Sequence, residues 1–410
     1  MKFRDASTPV VLLRSVGHGG LCITRTLGRM GVVVDVVDGD PTTPAFSSRF
    51  CQRRMVLDLI TTEPESAVRQ LLQLQKQRGQ RCVLLPASDD AAIFVADHAV
   101  ELSKGYIFPQ VAPELVHRLC SKKDMFFLVR QLGLPTPESV FPRSRLDLLD
   151  FVERATFPVL LKGIDGQRLL RTARKKMFII NSRRELLDLY DATEDHRDPN
   201  LMVQEYVAQG EDWMFNGYFA ANSQCLFGMT GRKIRQCPAF TGATALGVCM
   251  HNDVVDETAR HLVEAIGYRG ALDIDVRRDY RDGKYKILDV NPRVGASFRL
   301  FVDSNDLDTA RALYLDLTGQ TISPTAPQYG RKWLVEDLDV ACSIRYGRCG
   351  ELNLLEWLSS LRGVRETAYL SFDDPLPALR MVLNDARTLL RRLRQPRVLP
   401  QRECMREREA

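Results

Sequence analysis

The sequence predicts a multidomain protein that combines α/β and α+β architecture. Three features support this prediction: a β-α-β pattern within the first 40 residues, strand and helix signals along most of a 410-residue chain, and two acid-bearing strands that meet near residue 282. A chain of this length is long enough for two to four domains, each with its own core. We expect an N-terminal α/β domain, a central domain of two lobes and a small C-terminal α+β lobe.

The N-terminal segment predicts a strand, a glycine-rich turn and a helix. Residues 9–16 form an apolar run typical of a buried strand, residues 21–30 have a helical pattern, and residues 32–37 predict the next strand. The turn between the first two, residues 17–20, contains three glycines and could accept an anion at the helix N-terminus. It resembles a dinucleotide-binding fingerprint, but Ile23 stands near the place of the third glycine.

A second α/β unit follows in the same region. Residues 82–86 predict a strand, and Ser88 is a suitable N-cap for the helix after it. Ser88, Asp89 and Asp90 would then lie at the carboxyl edge of a parallel sheet, where ligands bind in such folds.

A predicted hairpin near residue 282 carries the most informative side chains. Residues 287–291 predict a strand that ends at Pro292, because proline cannot donate to a ladder. Asp289 and Asn291 share one face of that strand. Residues 271–277 predict its partner, and a three-residue loop over residues 281–283 would set Asp275 opposite Asp289. A two-residue turn would place Asp275 on the other face.

Converging acids on one sheet face are unfavourable unless a cation neutralises them. Carboxylate and amide oxygens are the ligands of hard cations that also bind phosphate. Arg293 follows the strand, and its guanidinium suits phosphate. The hairpin therefore predicts a metal and phosphate site, although a solvated hairpin with ordinary surface charge would show the same pattern.

The run from Asp289 to Arg293, Asp-Val-Asn-Pro-Arg, together with an acid on the preceding strand, resembles the metal-binding end of the ATP-grasp ligases. The resemblance implies that Asp275, Asp289 and Asn291 hold magnesium. Two ions are expected, with manganese as an alternative metal. It also implies a catalytic role for Arg293 at the phosphates.

Two lysines extend the resemblance. Lys122 stands eleven residues before Gly133, where a Gly-x-Pro-x-Pro turn begins, as does the first nucleotide-binding lysine of the family. The family has Asp before that lysine where this chain has Ser121, and Lys123 is a competing candidate. Lys162 ends the apolar strand predicted for residues 157–162 and resembles the second lysine. A surface lysine at a strand end is the alternative.

Residues 201–212 resemble the hinge that holds adenine in the family. Backbone groups there read the adenine edge, and an acid beyond a glycine binds the ribose hydroxyls. By this resemblance Asp212 binds ribose, with Glu211 as the alternative. The expected hinge residues are Gln204, Glu205, Tyr206 and Val207.

The resemblance implies that further basic residues contact the phosphates or the substrate carboxylate. Arg232 and Arg299 are the expected catalytic residues besides Lys162 and Arg293. Lys233 and Arg235 are near Arg232, and a solvated strand face would explain all three equally well. Residues 241–247 contain mainly small side chains and predict a flexible loop near the acceptor substrate.

The resemblance implies a domain organisation. Residues 1–115 would form a Rossmann-like pre-ATP-grasp domain, and residues 116–320 the ATP-grasp domain, with a small lobe at about 140–207. Residues 321–395 would form a C-terminal accessory lobe, with an amphipathic helix at residues 352–361. Residues 396–410 predict a disordered basic tail, since residues 387–410 hold eight arginines and three glutamates and so carry the whole net charge of +5.

Composition indicates where in the cell the protein acts and which classes of partner it has. No apolar stretch reaches the ~18 residues of a membrane span, and no signal peptide opens the chain, so we expect no membrane span. The ten cysteines include no Cys-x-x-Cys pair, which predicts reduced thiols and a cytoplasmic location. The basic tail lacks interleaved aromatics, so we expect no nucleic acid partner. A homodimer is compatible with the sequence.

These resemblances predict an enzyme, an ATP-dependent carboxylate–amine ligase. Its substrates would be a small-molecule carboxylate and an amine, such as an amino acid or a peptide. The carboxylate would be activated as an acyl phosphate, with release of ADP and phosphate. Two alternatives remain: an NAD-dependent oxidoreductase that uses the N-terminal Rossmann-like unit, and a non-catalytic ATP-binding regulator.

Overall fold

The computed structural model describes residues 3–15, 17–175, 177–207 and 210–394, apart from the side chains of Gln167 and of residues 388–394. The predicted basic tail, residues 396–410, lies outside the described residues. The chain divides into two compact units. The first contains Met1–Val116, Met214–Asp273 and Asn291–Ala410, and the second contains His117–Trp213 and Ile274–Val290.

The chain alternates strands and helices, as the sequence predicts. In chain order the strands are β1 (Val10–Leu13), β2 (Val34–Asp38), β3 (Cys51–Val56), β4 (Cys82–Pro86), β5 (Tyr106–Ile107), β6 (Ser139–Val140), β7 (Val159–Gly163), β8 (Met177–Ile180), β9 (Leu201–Glu205), β10 (Gly210–Phe219), β11 (Cys225–Cys237), β12 (Ala243–Cys249), β13 (Gly270–Asp279), β14 (Tyr285–Asn291), β15 (Lys332–Leu334) and β16 (Val364–Thr367).

Helices lie in many of the connections between these strands. They are α1 (Gly17–Gly28), α2 (Pro64–Lys76), α3 (Asp89–Asp97), α4 (Ala99–Leu102), α5 (Pro113–Cys120), α6 (Lys122–Gln131), α7 (Arg145–Arg154), α8 (Gly166–Ala173), α9 (Arg183–Thr193), α10 (Asp253–Ile266), α11 (Thr309–Leu317), α12 (Glu336–Arg348), α13 (Leu354–Ser360) and α14 (Leu376–Arg394), with short 3-10 turns at Pro44–Ser47 and Phe298–Leu300.

The N-terminal part of the first unit is built on a parallel sheet with strand order β3-β2-β1-β4-β5. Strands β1 and β2 are buried throughout, as expected for a sheet with helices on both faces. The predicted β-α-β pattern is confirmed. Strand β1 ends at Leu13 rather than at residue 16, because Arg14 adopts a left-handed conformation (φ 52°).

Helix α1 begins at Gly17, four residues before its predicted start. Glycines are needed in its first turn because the chain passes very close to β1. A Cβ atom on Gly20 would lie 2.4 Å from the Cα atom of Ser15. Ser88 caps α3 as predicted, since its side chain accepts a hydrogen bond from the backbone of Ala91.

A seven-stranded sheet has the order β14-β13-β10-β11-β12-β15-β16. The expectation of a flexible loop at residues 241–247 is wrong, because most of these residues form β12. Strand β12 pairs with β11 over Gly231↔Cys249 to Cys237↔Ala243. The small side chains allow close packing: a Cβ atom on Gly247 would lie 2.8 Å from Leu300 Cδ2.

Residues 321–394 belong to the first unit and extend its sheet. Strand β15 pairs antiparallel with β12, and β16 pairs parallel with β15. The predicted amphipathic helix is α13. Two buried ion pairs fix this segment: Arg25 Nε lies 2.9 Å from Asp374 Oδ2, and Arg235 Nε lies 2.7 Å from Asp339 Oδ1.

The second unit contains a four-stranded antiparallel sheet with the order β6-β9-β7-β8. Its core includes Leu161, Val203, Leu186 and Tyr190, all of them buried. Two basic residues that follow Lys162, Arg168 and Arg171, lie in helix α8.

The hairpin between β13 and β14 lacks the three-residue loop that was predicted to set Asp275 opposite Asp289, so that register is not confirmed. The backbone amides of Asp279 and Gly283 donate to Lys284 and Asp279 respectively, so the loop spans four residues, 280–283, rather than three. Gly283 has the left-handed conformation expected of it (φ +71°).

Candidate active site

Lys162 lies near the end of β7 in the second unit. Its Nζ atom donates a hydrogen bond to Gln204 Oε1 on β9 at 2.8 Å, and Gln204 in turn donates to Ser139 Oγ at 3.0 Å. Burial is the largest of the causes that lower the pKa of Lys162 to about 8, and the positive charges of Lys122 and Arg277 add to the decrease. A buried cation that neighbouring cations destabilise is a good partner for an anionic ligand.

Lys122 is the first residue of helix α6, which Ser121 caps by accepting a hydrogen bond from the backbone of Asp124. A lysine is electrostatically unfavourable at a helix N-terminus, so this position suggests a purpose other than helix stability. The charge of Lys122 lowers the pKa of Lys162. Lys123 instead lies with its Nζ atom 5.9 Å from the centre of the Phe141 ring. Of the two lysines, Lys122 is therefore the one whose charge acts on Lys162.

The predicted hinge follows β9 directly. Strand β9 ends at Glu205, and Tyr206 and Val207 are buried. The carboxylate of Glu205 accepts a hydrogen bond from Lys286 Nζ at 3.1 Å and forms an ion pair with Arg281. Because its side chain is engaged in this way, Glu205 would contribute to a hinge through its backbone.

Asp212, the predicted ribose ligand, lies at the start of β10 and is buried. Its Oδ2 atom lies 3.4 Å from Arg277 Nη2. The guanidinium of Arg277 also lies over the ring of Tyr206, 5.7 Å from its centre. Arg277 thus contacts both the predicted ribose ligand and Tyr206 of the predicted hinge, and its charge lowers the pKa of Lys162.

The predicted magnesium ligands lie on β13 and β14. Asp275 and Asp289 belong to the second unit, and the charge of Asp289 opposes the decrease in the pKa of Lys162. Within the described residues, no three His, Cys, Asp or Glu side chains are grouped closely enough to hold a metal alone. Carboxylate oxygens such as those of Asp275 and Asp289 are nevertheless ligands that magnesium binds, and nucleotide phosphates would complete its shell.

Asn291 and Arg293 belong to the first unit, just after these acids in the chain. Asn291 Nδ2 donates to the backbone carbonyl of Asp273 at 3.4 Å, and its Oδ1 accepts from Arg293 Nη2 at 3.3 Å. Arg293 Nε also donates to Asp89 Oδ1 on α3 at 2.7 Å. Asp89, at the carboxyl edge of the parallel sheet, thereby holds the predicted catalytic arginine.

The buried carboxylate of Asp273 lies near the guanidinium of Arg293. Asp273 lies 3.9 Å from Arg293 and accepts a hydrogen bond from Asn216 Nδ2 at 3.1 Å. The chain after β14 passes so close that a Cβ atom on Gly295 would lie 2.4 Å from Asp273 Cγ. Glycine is therefore required at position 295.

The expected catalytic role of Arg299 is not supported by its surroundings. Its guanidinium is buried and contacts Asp308 Oδ2 at 2.7 Å, Glu366 Oε2 at 2.7 Å and Asp306 Oδ1 at 3.1 Å. These carboxylates raise the pKa of Arg299 far above its usual value in spite of its burial. Because three carboxylates already engage its donors, Arg299 is a structural residue.

The basic residues of β11 differ from one another. Arg235 is buried and forms an ion pair with Asp339, so its role is to stabilise the fold. Arg232 pairs in the sheet with Val248 and is half-buried. Its catalytic role stays a prediction.

Other segments of the first unit pack closely against its glycine-rich turn. A Cβ atom on Gly19 would lie 3.1 Å from the Cα atom of Ala296 and 3.3 Å from its Cβ atom. The glycines thus serve contacts with β1 and with the segment after β14, rather than the close approach of a pyrophosphate. This packing disfavours the dinucleotide interpretation.

Sequence reasoning missed Arg277 and Asn216. Arg277 could have been found, because it lies two residues after Asp275 on the same strand and so shares its face. Asn216 gives no such signal: it is fully buried and acts through Asp273, 57 residues away in the chain.

Comparison with known proteins gives one curated relative and many similar folds. A D-aspartate ligase from Enterococcus faecium (strain Aus0004) is 28% identical over 256 residues, which are 59% of this chain and 61% of that protein. The chain thus matches about three-fifths of the length of this relative. No family model matches the chain.

Two solved structures illustrate the similarity of fold. N5-carboxyaminoimidazole synthetase from Staphylococcus aureus, complexed with ADP, has a TM-score of 0.61 and 15% identity, with 81% of this chain and 82% of that chain covered. The L-amino acid ligase from Bacillus licheniformis has a TM-score of 0.57 and 15% identity, with 78% of each chain covered. No helix in the described part of the chain is both long enough and apolar enough to cross a membrane.

Proposed function

Because the chain has the ATP-grasp fold that its motifs predict, we propose that it is an ATP-dependent ligase that joins a carboxylate to an amine. The reaction converts the carboxylate to an acyl phosphate and releases ADP and phosphate. The observation that carries this proposal is the cationic group of Lys122, Lys162 and Arg277 in the second unit, where burial and like charge lower the pKa of Lys162 to about 8.

The nucleotide is ATP. Lys122 and Lys162 bind its phosphates as point charges. Residues 204–207 hold adenine, and Asp212 accepts from the ribose hydroxyls. Arg277 holds Asp212 in place through its ion pair. The ADP complex of the Staphylococcus aureus enzyme supports this class of ligand.

Asp275, Asp289 and Asn291 would hold magnesium, as two ions, and manganese would substitute for it. The metal would neutralise the charge of the nucleotide phosphates. Arg293, which Asp89 orients through its Nε atom, is proposed to stabilise the transferred phosphoryl group. Arg232 is a further candidate for binding a phosphate or the substrate carboxylate.

The chemistry needs no protein nucleophile. A carboxylate oxygen of the substrate attacks the γ-phosphorus of ATP, and the bond to the β,γ-bridging oxygen breaks to release ADP. The amine then attacks the carbonyl carbon of the acyl phosphate, loses a proton and expels inorganic phosphate. Lys162 and Arg293 stabilise the charge that develops on the transferred group. Positioning of the two substrates and exclusion of water supply much of the rate enhancement.

The names of the relatives favour amino acid substrates. D-aspartate ligase and L-amino acid ligase both denote ligases of amino acids. We infer that the carboxylate or the amine belongs to an amino acid or a peptide, and that the enzyme acts in the cytoplasm. The nine cysteines among the described residues are free thiols, which is consistent with a reducing compartment. A homodimer is part of the proposal.

The decisive experiment identifies the nucleotide product. Pools of amino acids and peptides are incubated with the protein, Mg-ATP and hydroxylamine, and nucleotides are separated by chromatography. We expect ADP, phosphate and a hydroxamate, because hydroxylamine intercepts an acyl phosphate. AMP and pyrophosphate as the main products would contradict the mechanism. Asp289→Asn should abolish product formation, while Lys123→Ala should retain it.

The two alternatives give different results in the same experiment. A non-catalytic ATP-binding regulator would bind Mg-ATP and release no ADP with any pool. An NAD-dependent oxidoreductase would change the absorbance of a nicotinamide cofactor and ignore ATP.

A further inference from the structure

Helix α14, the last helix that the structure describes, has a row of exposed apolar side chains. Leu376, Leu379 and Val382 are each more than half exposed, and Leu383 is 46% exposed. Residues three or four positions apart share one face of a helix, so these four side chains form one surface, which we call the apolar stripe. A contiguous exposed apolar surface marks an interaction site, whereas single exposed apolar residues do not.

The opposite face of α14 is fixed to the rest of the first unit. Ala378 belongs to the hydrophobic core of that unit. Arg380 Nε donates to Ser47 Oγ at 3.3 Å, and Asn384 Nδ2 donates to the backbone carbonyl of Thr42 at 3.1 Å. These contacts hold the helix with its apolar stripe toward solvent.

The loop before α14 is also anchored and carries a further exposed apolar group. Asp373 and Asp374 form ion pairs with Arg29 and Arg25 of α1. Phe372, directly before these acids in the chain, is fully exposed. A fixed loop thus presents a large aromatic ring to solvent just before the apolar stripe begins.

The sequence repeats the spacing of the apolar stripe to the end of the helix. Helix α14 ends at Arg394, and leucines recur at position 390, seven residues after Leu383, and at position 393, fourteen residues after Leu379. Seven residues are close to two turns of a helix, so this spacing returns to nearly the same face. A helix of 19 residues is about 28 Å long, which is enough for an extended contact.

The charges of α14 are almost all positive. Its sequence contains one acid, Asp385, and five arginines, at positions 380, 387, 391, 392 and 394. Arg387 is exposed and follows Leu383 by four positions, so it lies beside the apolar stripe. Asp385 follows Leu383 by two positions and does not share its face. The apolar stripe is therefore bordered by positive charge that the helix itself does not neutralise.

This charge distribution argues against a second copy of the chain as the partner. Two α14 helices packed along their apolar stripes would bring the arginines of both copies together, and neither copy would supply a facing acid. A nucleic acid would neutralise the arginines, but it offers no apolar layer in which leucine side chains leave water. A surface of anionic lipids offers both, because its phosphates lie directly above its acyl chains.

We propose that α14 binds the surface of a membrane that contains anionic lipids. The helix lies in the plane of that surface, with its apolar stripe below the headgroups and its arginines at the level of the lipid phosphates. Helices with leucines on one face and arginines on the polar face bind membranes in this way. This interaction goes beyond the proposed ligase activity and does not depend on it.

Co-sedimentation of the full-length protein with lipid vesicles tests the proposal. One set of vesicles contains phosphatidylcholine alone, and the other contains equal amounts of phosphatidylcholine and phosphatidylglycerol. We expect binding to the mixed vesicles to be stronger by at least about tenfold, because each arginine near an anionic surface adds about fivefold to the affinity. Added salt should remove most of this difference, since it screens the arginines from the lipid phosphates.

Variants of exposed residues locate the contact. Leu379→Ala should fold normally and weaken binding to the mixed vesicles by at least about tenfold, because less apolar surface leaves water. Its matched control is Leu146→Ala, on α7, since Leu146 is 74% exposed and should contribute nothing. Arg387→Gln should weaken binding to the mixed vesicles by about fivefold. Arg184→Gln, an equally exposed arginine on α9, is its control and should leave binding unchanged.

Sedimentation velocity without vesicles separates a membrane surface from a second copy of the chain. We expect the self-association of Leu379→Ala to equal that of the wild-type protein. A wild-type dimer that Leu379→Ala dissociates would overturn the proposal and assign the apolar stripe to a contact between copies. The proposal would also fail if the wild-type protein bound neither kind of vesicle, bound both equally, or bound the mixed vesicles as tightly after Leu379→Ala.

Discussion

Lys162 in the second unit is half-buried and Arg299 in the first is buried, and the surroundings of these two cations are opposite. Lys162 has an amide oxygen, Gln204 Oε1, as its hydrogen-bond partner, and its pKa falls to about 8. Arg299 has three carboxylates within 3.1 Å, and its pKa rises well above normal. The comparison teaches that burial alone does not identify a ligand site: what matters is whether the protein already supplies the counter-charge.

The largest expected effect is on stability. Arg299→Met should reduce the free energy of unfolding by about 3–5 kcal/mol, because it leaves Asp308 and Glu366 buried without their common partner. Lys162→Met should change the stability of the nucleotide-free protein by less than about 1 kcal/mol, since it removes a destabilised charge. Urea unfolding of both variants checks this. An equal loss in the two would remove the distinction between them.

The next effect is on ligand binding. At a Mg-ATP concentration of about 100 times Kd, the wild-type protein should gain about 2.7 kcal/mol by mass action. Lys162→Met should lose most of this gain, because the phosphates lose a positive charge. Lys123→Met is the matched control, since Lys123 lies beside the Phe141 ring. Thermal unfolding with and without Mg-ATP measures the gain, and a wild-type response in Lys162→Met would exclude this lysine from the phosphate site.

The smallest expected effect is the uptake of a fraction of a proton when Mg-ATP binds. Lys162 in the free protein titrates at about 8, below its usual value, so a fraction of the molecules carries it neutral at pH 8.5. Bound phosphates would raise this pKa, so binding of Mg-ATP at that pH should take up a fraction of a proton. Calorimetry in two buffers of different ionisation enthalpy measures the uptake. We expect it to disappear in Lys162→Met and to decrease as the pH falls below 7.

The same depressed pKa affects stability in the absence of nucleotide. Between about pH 8 and the unfolded value of lysine, the unfolded chain binds more protons at this position than the folded chain does. The contribution of Lys162 to stability therefore becomes more favourable as the pH rises through that window. The difference between the wild-type protein and Lys162→Met isolates this contribution from other titrating groups, and an opposite slope would contradict the assigned pKa.

Local patterns predicted those parts of the fold and site that depend on neighbours in the sequence. The strand that ends at Asn291 could be predicted because Pro292 stops it, and Ser88 could be recognised as an N-cap from its place before a helix. The run from Asp289 to Arg293, together with the motifs around Lys122 and Lys162, predicted the ATP-grasp fold. Each of these motifs consists of a few adjacent residues.

Features that depend on distant parts of the chain could not be predicted in this way. The partner of Arg299 at Glu366 lies 67 residues away, so the sequence alone could not separate a structural arginine from a catalytic one. The small residues of β12 indicated a loop because their packing partner, Leu300, is equally remote. The loop of the β13–β14 hairpin has a different, local reason for its extra residue: Asp279 forms ion pairs with the nearby Arg281 and Lys286.

The buried pair between Arg25 and Asp374 has a consequence for how the protein is made. The guanidinium of Arg25 also donates to the backbone carbonyls of Ala368 and Tyr369, so the first helix of the chain needs residues more than 340 positions later. During synthesis, the N-terminal sheet leaves the ribosome long before these partners exist. The segment His117–Trp213 is nearly complete in itself, which makes it the natural first part to fold. The N-terminal part of the first unit gains these contacts only when residues 368–374 have been added.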